Sequence, residues 1–381
     1  MKKAYDVLII GGGVNGCSIA YQLAKRGCHT AVVEKSRVGA EASSAAAGML
    51  GAQVEIKENG PFFDFARKSR NMFSELVPEL EETSGIPVSY LRNGMLKVAQ
   101  TDEEASHLLE MLDFQRKEGE QAEWRGPEAL SVQEPNIKGE VKGALFIPGD
   151  GQVKAKELTQ AYARGASLLG ADFYEYTPVI GLIQEEGKVK GVSTPAGSFY
   201  SSQVVLAGGA WSDLITDHEI QIPPMVPVKG ECLAVRPAKP VIKATVHAPD
   251  FYLVPKPDGS IIIGATEQKG RMDKQVSAGS VQNLLSKALR LVPGLQSAEW
   301  MESWSGVRPQ TTDGMPYLGA ASLEGLWMAT GHYRNGILLS ALTGKWIADL
   351  IDGTADNQEW IETFSPLRLK EGKGNLVETN H

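Results

Sequence analysis

Three glycines and a glutamate carry the first chemical information in this 381-residue chain. Residues 7–16 read Val-Leu-Ile-Ile-Gly-Gly-Gly-Val-Asn-Gly, an apolar run that enters the pattern Gly-x-Gly-x-x-Gly at Gly11, Gly13 and Gly16. Gly11 permits a tight turn, Gly13 lets a pyrophosphate approach the backbone, and Gly16 lets a helix pack closely on a strand. The helix that follows offers free N–H groups and the positive end of its dipole to phosphate. Eighteen residues after Gly16, the run Ala31-Val32-Val33 ends in Glu34. An acid there accepts hydrogen bonds from a ribose hydroxyl and repels a 2′-phosphate. The pattern predicts dinucleotide binding. A βαβ unit without a ligand would carry the same glycines, so the motif gains its weight from the strand before it, the helix after it and the acid beyond.

Positioning those residues takes a strand–turn–helix–strand unit, and the sequence supplies one. A helix from Val14 to Arg26 carries Ile19, Ala20, Leu23 and Ala24 on one face and stops at Gly27. Segment 39–49, rich in Ala, Ser and Gly, reads either as a flexible linker or as backbone able to approach a flat ring. Apolar periodicity predicts a helix over 62–82 and strands around 88–91 and 95–98. A charged helix follows over 102–120, then a helix over 157–169. Short strands follow at 179–183, 189–192 and 204–206, the last running into Gly208-Gly209. A hairpin is expected for 252–254 and 261–263 about Pro257-Asp258-Gly259. A helix over 280–292, a strand at 326–329 and a helix from Ile337 complete the pattern. The expected class is α/β (α+β overall), with discontinuous domains. Segments 1–85, 146–220 and 302–365 form a Rossmann-type nucleotide domain. Segments 86–145 and 221–301 form a mixed or antiparallel sheet for substrate and oligomer contacts. A polar tail occupies 366–381.

The composition narrows the function. A formal net charge of −8 argues against nucleic acid or an anionic membrane surface as partner. The N-terminal apolar run of four residues is too short for a signal peptide, and no segment approaches a membrane span. A soluble, cytoplasmic protein is expected. The three cysteines, Cys17, Cys28 and Cys232, form no CxxC pair, and the six histidines show no paired spacing, so no metal site is expected.

There is one Gly-x-Gly-x-x-Gly. An enzyme passing electrons between NAD(P)H and a bound flavin commonly shows two. A flavin here would therefore discharge to oxygen, a quinone or a protein, whereas NAD would need only the one site. The fingerprint alone leaves both open.

Other stretches resemble the FAD-dependent oxidoreductases of the D-amino-acid oxidase and sarcosine oxidase family, most closely its bacterial glycine oxidase branch of thiamine biosynthesis. They are Ile9–Gly16, Ser43–Ala52, Val226–Leu233, Tyr252–Lys256, Gly306–Gly319 and Gly331–Leu339, and they span nearly the whole chain. The resemblance implies an FAD domain and a smaller domain with a mixed sheet over the flavin. It assigns Val14, Asn15, Glu34 and Lys35 to the adenosine and pyrophosphate, with Val179 meeting the adenine through its backbone. Ala42, Ser43, Ala47, Gly48 and Met49 would run along the pyrophosphate and isoalloxazine. His332, Tyr333, Arg334, Asn335, Gly336, Ile337 and Leu338 would present N–H groups near flavin N1 and O2, where a helix N-terminus favours negative charge. Sarcosine oxidases of the family tether flavin to a late cysteine. This chain has none after Cys232, which implies non-covalent FAD.

The same resemblance gives Arg308 the substrate carboxylate, a role that the planar guanidinium suits through bidentate pairing. Arg334 would be a second contact and Tyr252 a hydroxyl donor. On residue type alone, each could equally be a structural arginine or a packed strand tyrosine. The implied reaction is oxidative deamination of glycine, with sarcosine and small D-amino acids as further substrates. Hydride passes from Cα to flavin N5, and the products are an oxo acid, ammonia and peroxide. The family also implies a homotetramer and a hand-off of the imine to thiazole synthase. The competing expectations are a sarcosine or D-amino-acid oxidase, a quinone-linked dehydrogenase, a flavin-binding subunit without activity, and an NAD-dependent dehydrogenase. Asp250 and Glu267 depart from the family pattern near the active-site hairpin and would add carboxylates there.

Overall fold

A computed structural model describes residues 3–56, 58–215 and 222–368. Its first layer system is a six-stranded sheet in the order Tyr317–Ala320, Leu326–Thr330, Val204–Leu206, Val7–Ile10, Thr30–Val33, Asp172–Tyr174. All neighbours are parallel except the first pair. Strand alternation decides the layering. Val7 and Ile9 face a helical core built from Val14–Lys25, Pro61–Ser84, Ala155–Leu168 and Gly336–Ile351. Leu8 and Ile10 face the other way, onto Val189, Val192 and Phe199 of a four-stranded cover sheet. Burial on both faces is why these strands are continuous apolar runs.

The second system is a nine-stranded sheet. Its main path runs Gln268–Lys269, Val226–Arg236, Ile261–Gly264, Phe251–Pro255, Thr245–Ala248, Met95–Ala99, Gly143–Ile147, Glu123–Arg125, and Glu299–Gln310 pairs the other side of Val226–Arg236. Leu96 and Val98 face helix Ala278–Leu291, while Met95 and Ala99 face helix Asp102–Lys117. A patch formed by Cys232, Tyr252 and Val254 packs on Ala47 and Met49. The two systems meet there.

Several local expectations shift. The strand expected at 88–91 is only a bridge between Leu91 and Gln152. Glu81 Oε1 instead accepts from the N–H groups of Val88 and Ser89, at 2.6 and 3.2 Å. Residues 302–310, grouped by sequence with the nucleotide segments, continue a twelve-residue strand of the nine-stranded sheet. The tail expected at 366–381 lies outside the described residues beyond 368. No helix among the described residues is long and apolar enough to cross a membrane.

Candidate functional site

One elongated cavity runs between the two sheets. At one end its wall holds Gly11, Gly13, Val14, Asn15, Glu34, Lys35 and Val179; at the other it holds Tyr252, Arg308 and Arg334. Ala42, Ser43, Ala47, Gly48, Met49, His332, Tyr333, Gly336 and Ile337 line the middle. Gly16, Asn335 and Leu338 lie off the wall. Gly16 works inside the turn, since a Cβ there would meet the Gly11 carbonyl oxygen at 2.0 Å. Leu338 is buried in the helical core, and its carbonyl accepts from Ser69 Oγ at 2.7 Å.

The glycine turn has a steric origin. Gly11 sits at φ +106°, and a Cβ would come within 2.5 Å of the Ala207 carbonyl oxygen on the neighbouring strand. The helix Val14–Lys25 then starts with no side-chain cap from Gly13, and the Val14 N–H donates to Ser43 Oγ at 2.9 Å. Glu34 is buried, with Oε2 accepting from the Gly12 N–H at 2.7 Å and Oε1 from the Ser36 N–H at 2.9 Å. These bonds fix the carboxylate at the cavity wall and leave further lone pairs for a hydroxyl. Lys35 Nζ stands 3.2 Å over the ring of Trp211, a wall residue that no sequence pattern indicated.

The residues present fit a dinucleotide. Asn15 Oδ1 is buried with no hydrogen-bond partner among the described residues, and Asn15 stands beside Gly336, where the helix Gly336–Ile351 begins without a side-chain cap. Two helix starts whose own N-cap residues give no side-chain cap, and an orphaned amide oxygen on one wall, suit phosphate and a hydrogen-bonding ring. Segment 42–49 is held from the other sheet. Trp304 Nε1 donates to the Ala45 carbonyl at 3.0 Å, and Lys256 Nζ donates to the Ala47 and Val153 carbonyls at 2.6 and 3.2 Å. Burial pulls the Lys256 amine down to about 7.

At the far end, Arg308 comes from strand Glu299–Gln310, and its guanidinium lies over Gly230. A Cβ at Gly230 would be 2.5–2.6 Å from three guanidinium atoms. One nitrogen donates to the Thr266 carbonyl at 3.3 Å. Tyr252 packs its ring over Gly264 in the same manner, with its hydroxyl 3.5 Å from Cys232 Sγ. Burial pushes both the tyrosine and the thiol up, so both stay protonated near neutrality.

Arg334 lies 3.5 Å from Glu55 and 3.7 Å from Glu267, and Tyr333 donates to Glu267. Glu55 also meets His247 Nε2 at 3.2 Å. Burial works against its charge, but Arg334 and His247 together hold its carboxyl well below the usual range. Burial and the Glu267 contact raise Tyr333 to about 12, and burial drops His332 to about 3, with Nε2 3.1 Å from Thr343 Oγ1.

Sequence reading missed Glu55, although it lies only three residues beyond the stretch Ser43–Ala52. Of the two departures noted in sequence, Glu267 lies just off the cavity wall, in contact with the wall residues Arg334 and Tyr333, and Asp250 does not reach the site. Asp250 is exposed and 3.2 Å from Lys287, drawn to the helix on the outer face of the sheet.

The chain matches the model of the FAD dependent oxidoreductase family over residues 6–350. It is 45% identical to a glycine oxidase of Geobacillus kaustophilus, over 92% of this chain and 94% of that protein. The crystal structure of a glycine oxidase from Geobacillus kaustophilus superposes with a TM-score of 0.91 at 43% identity, covering 96% of this chain and 99% of that one. A bifunctional ThiO/ThiG protein of a Nostoc species is 35% identical over 91% of this chain and 52% of its own length.

Proposed function

The chain belongs to the FAD-dependent oxidoreductase family, and from that premise we propose that it oxidises glycine with oxygen to glyoxylate, ammonia and hydrogen peroxide. The carrying observation is that one cavity reaches without a break from Glu34 and Val179 to Arg308, Tyr252 and Arg334. An amino acid held by its carboxylate at one end would then lie beside the redox ring of a dinucleotide held at the other. The similarity to glycine oxidases over nearly the full chain supports glycine as the substrate, with sarcosine and small D-amino acids as further candidates.

Gly11, Gly13, Val14, Asn15, Glu34, Lys35 and Val179 would hold the adenosine and pyrophosphate. Ala42–Met49 and N–H groups of the wall residues His332, Tyr333, Arg334, Gly336 and Ile337 would hold the ring end; the Asn335 N–H is taken by the His332 carbonyl. When bound, FAD supplies an acceptor for the hydride that leaves the substrate Cα. Cys232 is the one cysteine on the cavity wall, and its raised, buried thiol gives no thiolate to attack a cofactor. We take the FAD to be non-covalent.

The chain's own part is positioning. Arg308 pairs with the substrate carboxylate through the N–H edge of its planar guanidinium, Tyr252 donates its hydroxyl to the same group, and Arg334 gives a second cationic contact. No wall residue is poised as a general base. His332 is neutral with Nε2 engaged by Thr343, and Glu55 is committed to Arg334 and His247. The amine therefore enters in its neutral form, having lost its proton to water, and orientation by Arg308 contributes most of what the protein adds.

The fusion of ThiO to ThiG in one relative supports a further step, delivery of the imine to a thiazole-forming partner. A homotetramer fits the same family reading. The test is anaerobic mixing of the yellow holoenzyme with glycine, which bleaches the flavin, followed by peroxide release in air. Bleaching by sarcosine or D-alanine but not by glycine overturns the substrate choice. A spectrum without flavin bands overturns the cofactor.

A further inference from the structure

Resting on the amino-acid oxidase reading above, we infer that Glu267, acting with Glu55, is a charge-specificity determinant that excludes amino acids bearing a second acidic group. Arg334 sits between the two carboxylates, with Nε 3.5 Å from Glu55 and a terminal nitrogen 3.7 Å from Glu267. Arg308 differs. Among the described residues it pairs with no carboxylate and donates only to the neutral Thr266 carbonyl. The charges of Arg308, Arg334, Glu55 and Glu267 sum to zero; the substrate carboxylate pairs with Arg308, and Arg334 adds a contact whose charge the two glutamates already offset. A second anionic group would find Arg334 already neutralised and would face two carboxylates at close range.

Each carboxylate has a second partner besides Arg334, His247 for Glu55 and Tyr333 for Glu267, and the chain that carries each is held in place. Glu55 ends a short helix whose Gln53 and Val54 N–H groups donate to buried Asp150, at 3.1 and 2.9 Å. Glu267 is fixed from both neighbours. Thr266 exchanges hydrogen bonds with Glu231 at 2.9 and 3.2 Å, and Gln268 donates to the Glu231 carboxylate at 3.1 Å. The Thr266 carbonyl that receives Arg308 immediately precedes Glu267 in the chain, so the anchoring guanidinium and the excluding carboxylate are held in one frame.

The test compares the holoenzyme with Glu267→Gln and, as a neutral residue of similar size, Glu267→Met. Calorimetry gives Kd for acetate, a monoanion, and malonate, a dianion. Oxygen uptake gives kcat/KM for glycine and iminodiacetate. The expected result is a shift of about tenfold in both selectivity ratios toward the dianion, the scale of one partly screened charge contact. Ratios unchanged in variants that still oxidise glycine overturn the charge filter alone. A wild-type holoenzyme that leaves glycine untouched overturns the proposed function, and the filter with it.

Discussion

Gly230→Ala separates the position of Arg308 from its presence. The added Cβ would lie 2.5 Å from the nearest guanidinium atom, and ordinary contact begins near 3.4 Å, so the group must retreat by the difference, 0.9 Å. The obstructing atoms are the far end of a flexible side chain, and Gly230 lies in an ordinary extended strand within Val226–Arg236. The fold should therefore absorb the change, and alanine costs less chain entropy than glycine on folding. Substrate binding should not absorb it. A charge-assisted hydrogen bond contributes about 1.5–3 kcal/mol, and a displacement near 1 Å at a reacting centre costs on the order of 100-fold. The expected outcome is a loss of roughly 10- to 100-fold in kcat/KM for glycine, measured by oxygen uptake, with flavin content and Tm unchanged. If the loss acts through Arg308, then Gly230→Ala adds nothing on an Arg308→Ala background. Full activity in the single variant, or additive losses in the double, would refute the carboxylate role of Arg308.

Three further outcomes follow from the site. Tyr252→Phe should raise KM for glycine about fivefold with flavin binding intact, the scale of one neutral hydrogen bond; a loss of flavin instead would make the residue a packing element. His332 has a folded value of about 3 against roughly 6.5 unfolded, so the unfolded chain binds the extra proton between those values and stability falls as pH drops through that window. Its share between pH 7 and 5 is about 2 kcal/mol, and urea unfolding of His332→Gln should show a correspondingly flatter pH dependence. Lys256→Met strands the Ala47 and Val153 carbonyls and should weaken FAD retention about tenfold in reconstitution titrations. Unaltered retention would show that the 42–49 segment holds its shape without that amine.

The nucleotide end was legible because its determinants are local. Gly11, Gly13, Gly16 and Glu34 lie within one strand–helix–strand unit, where turn sterics and strand alternation act over a few residues. The substrate end is written in pairings between distant strands. Arg308 faces the cavity because Glu299–Gln310 pairs antiparallel with Val226–Arg236, setting Val228 opposite Arg308 and Gly230 opposite Gly306. The sequence of that strand, with Gly306 and Pro309 inside it, does not read as a strand. Its place at the sheet edge is what tolerates the proline. Gly230 showed the same limit, since nothing near it in sequence indicates that a guanidinium will lie on it. Asp250 failed for the converse reason: adjacency to Tyr252 in sequence says nothing about which side of the sheet a hairpin-turn residue takes, and Lys287 on the outer helix decided it.

Segment 42–49 joins the two ends mechanically. Ser43 receives the first N–H of the nucleotide helix, while Ala45 and Ala47 offer their carbonyls to Trp304 and Lys256 of the substrate sheet. Gly306 is part of the same contact, because a Cβ there would strike Ala45 at 2.5 Å. Gly306 is also two residues from Arg308 on one strand, so both side chains' sites lie on the same face of it. A shift in that strand would therefore move the carboxylate anchor and the 42–49 segment together. In the proposed reading, the distance from substrate carboxylate to cofactor ring is set by this small group of contacts between segment 42–49 and the substrate sheet, so retuning one end would disturb the other.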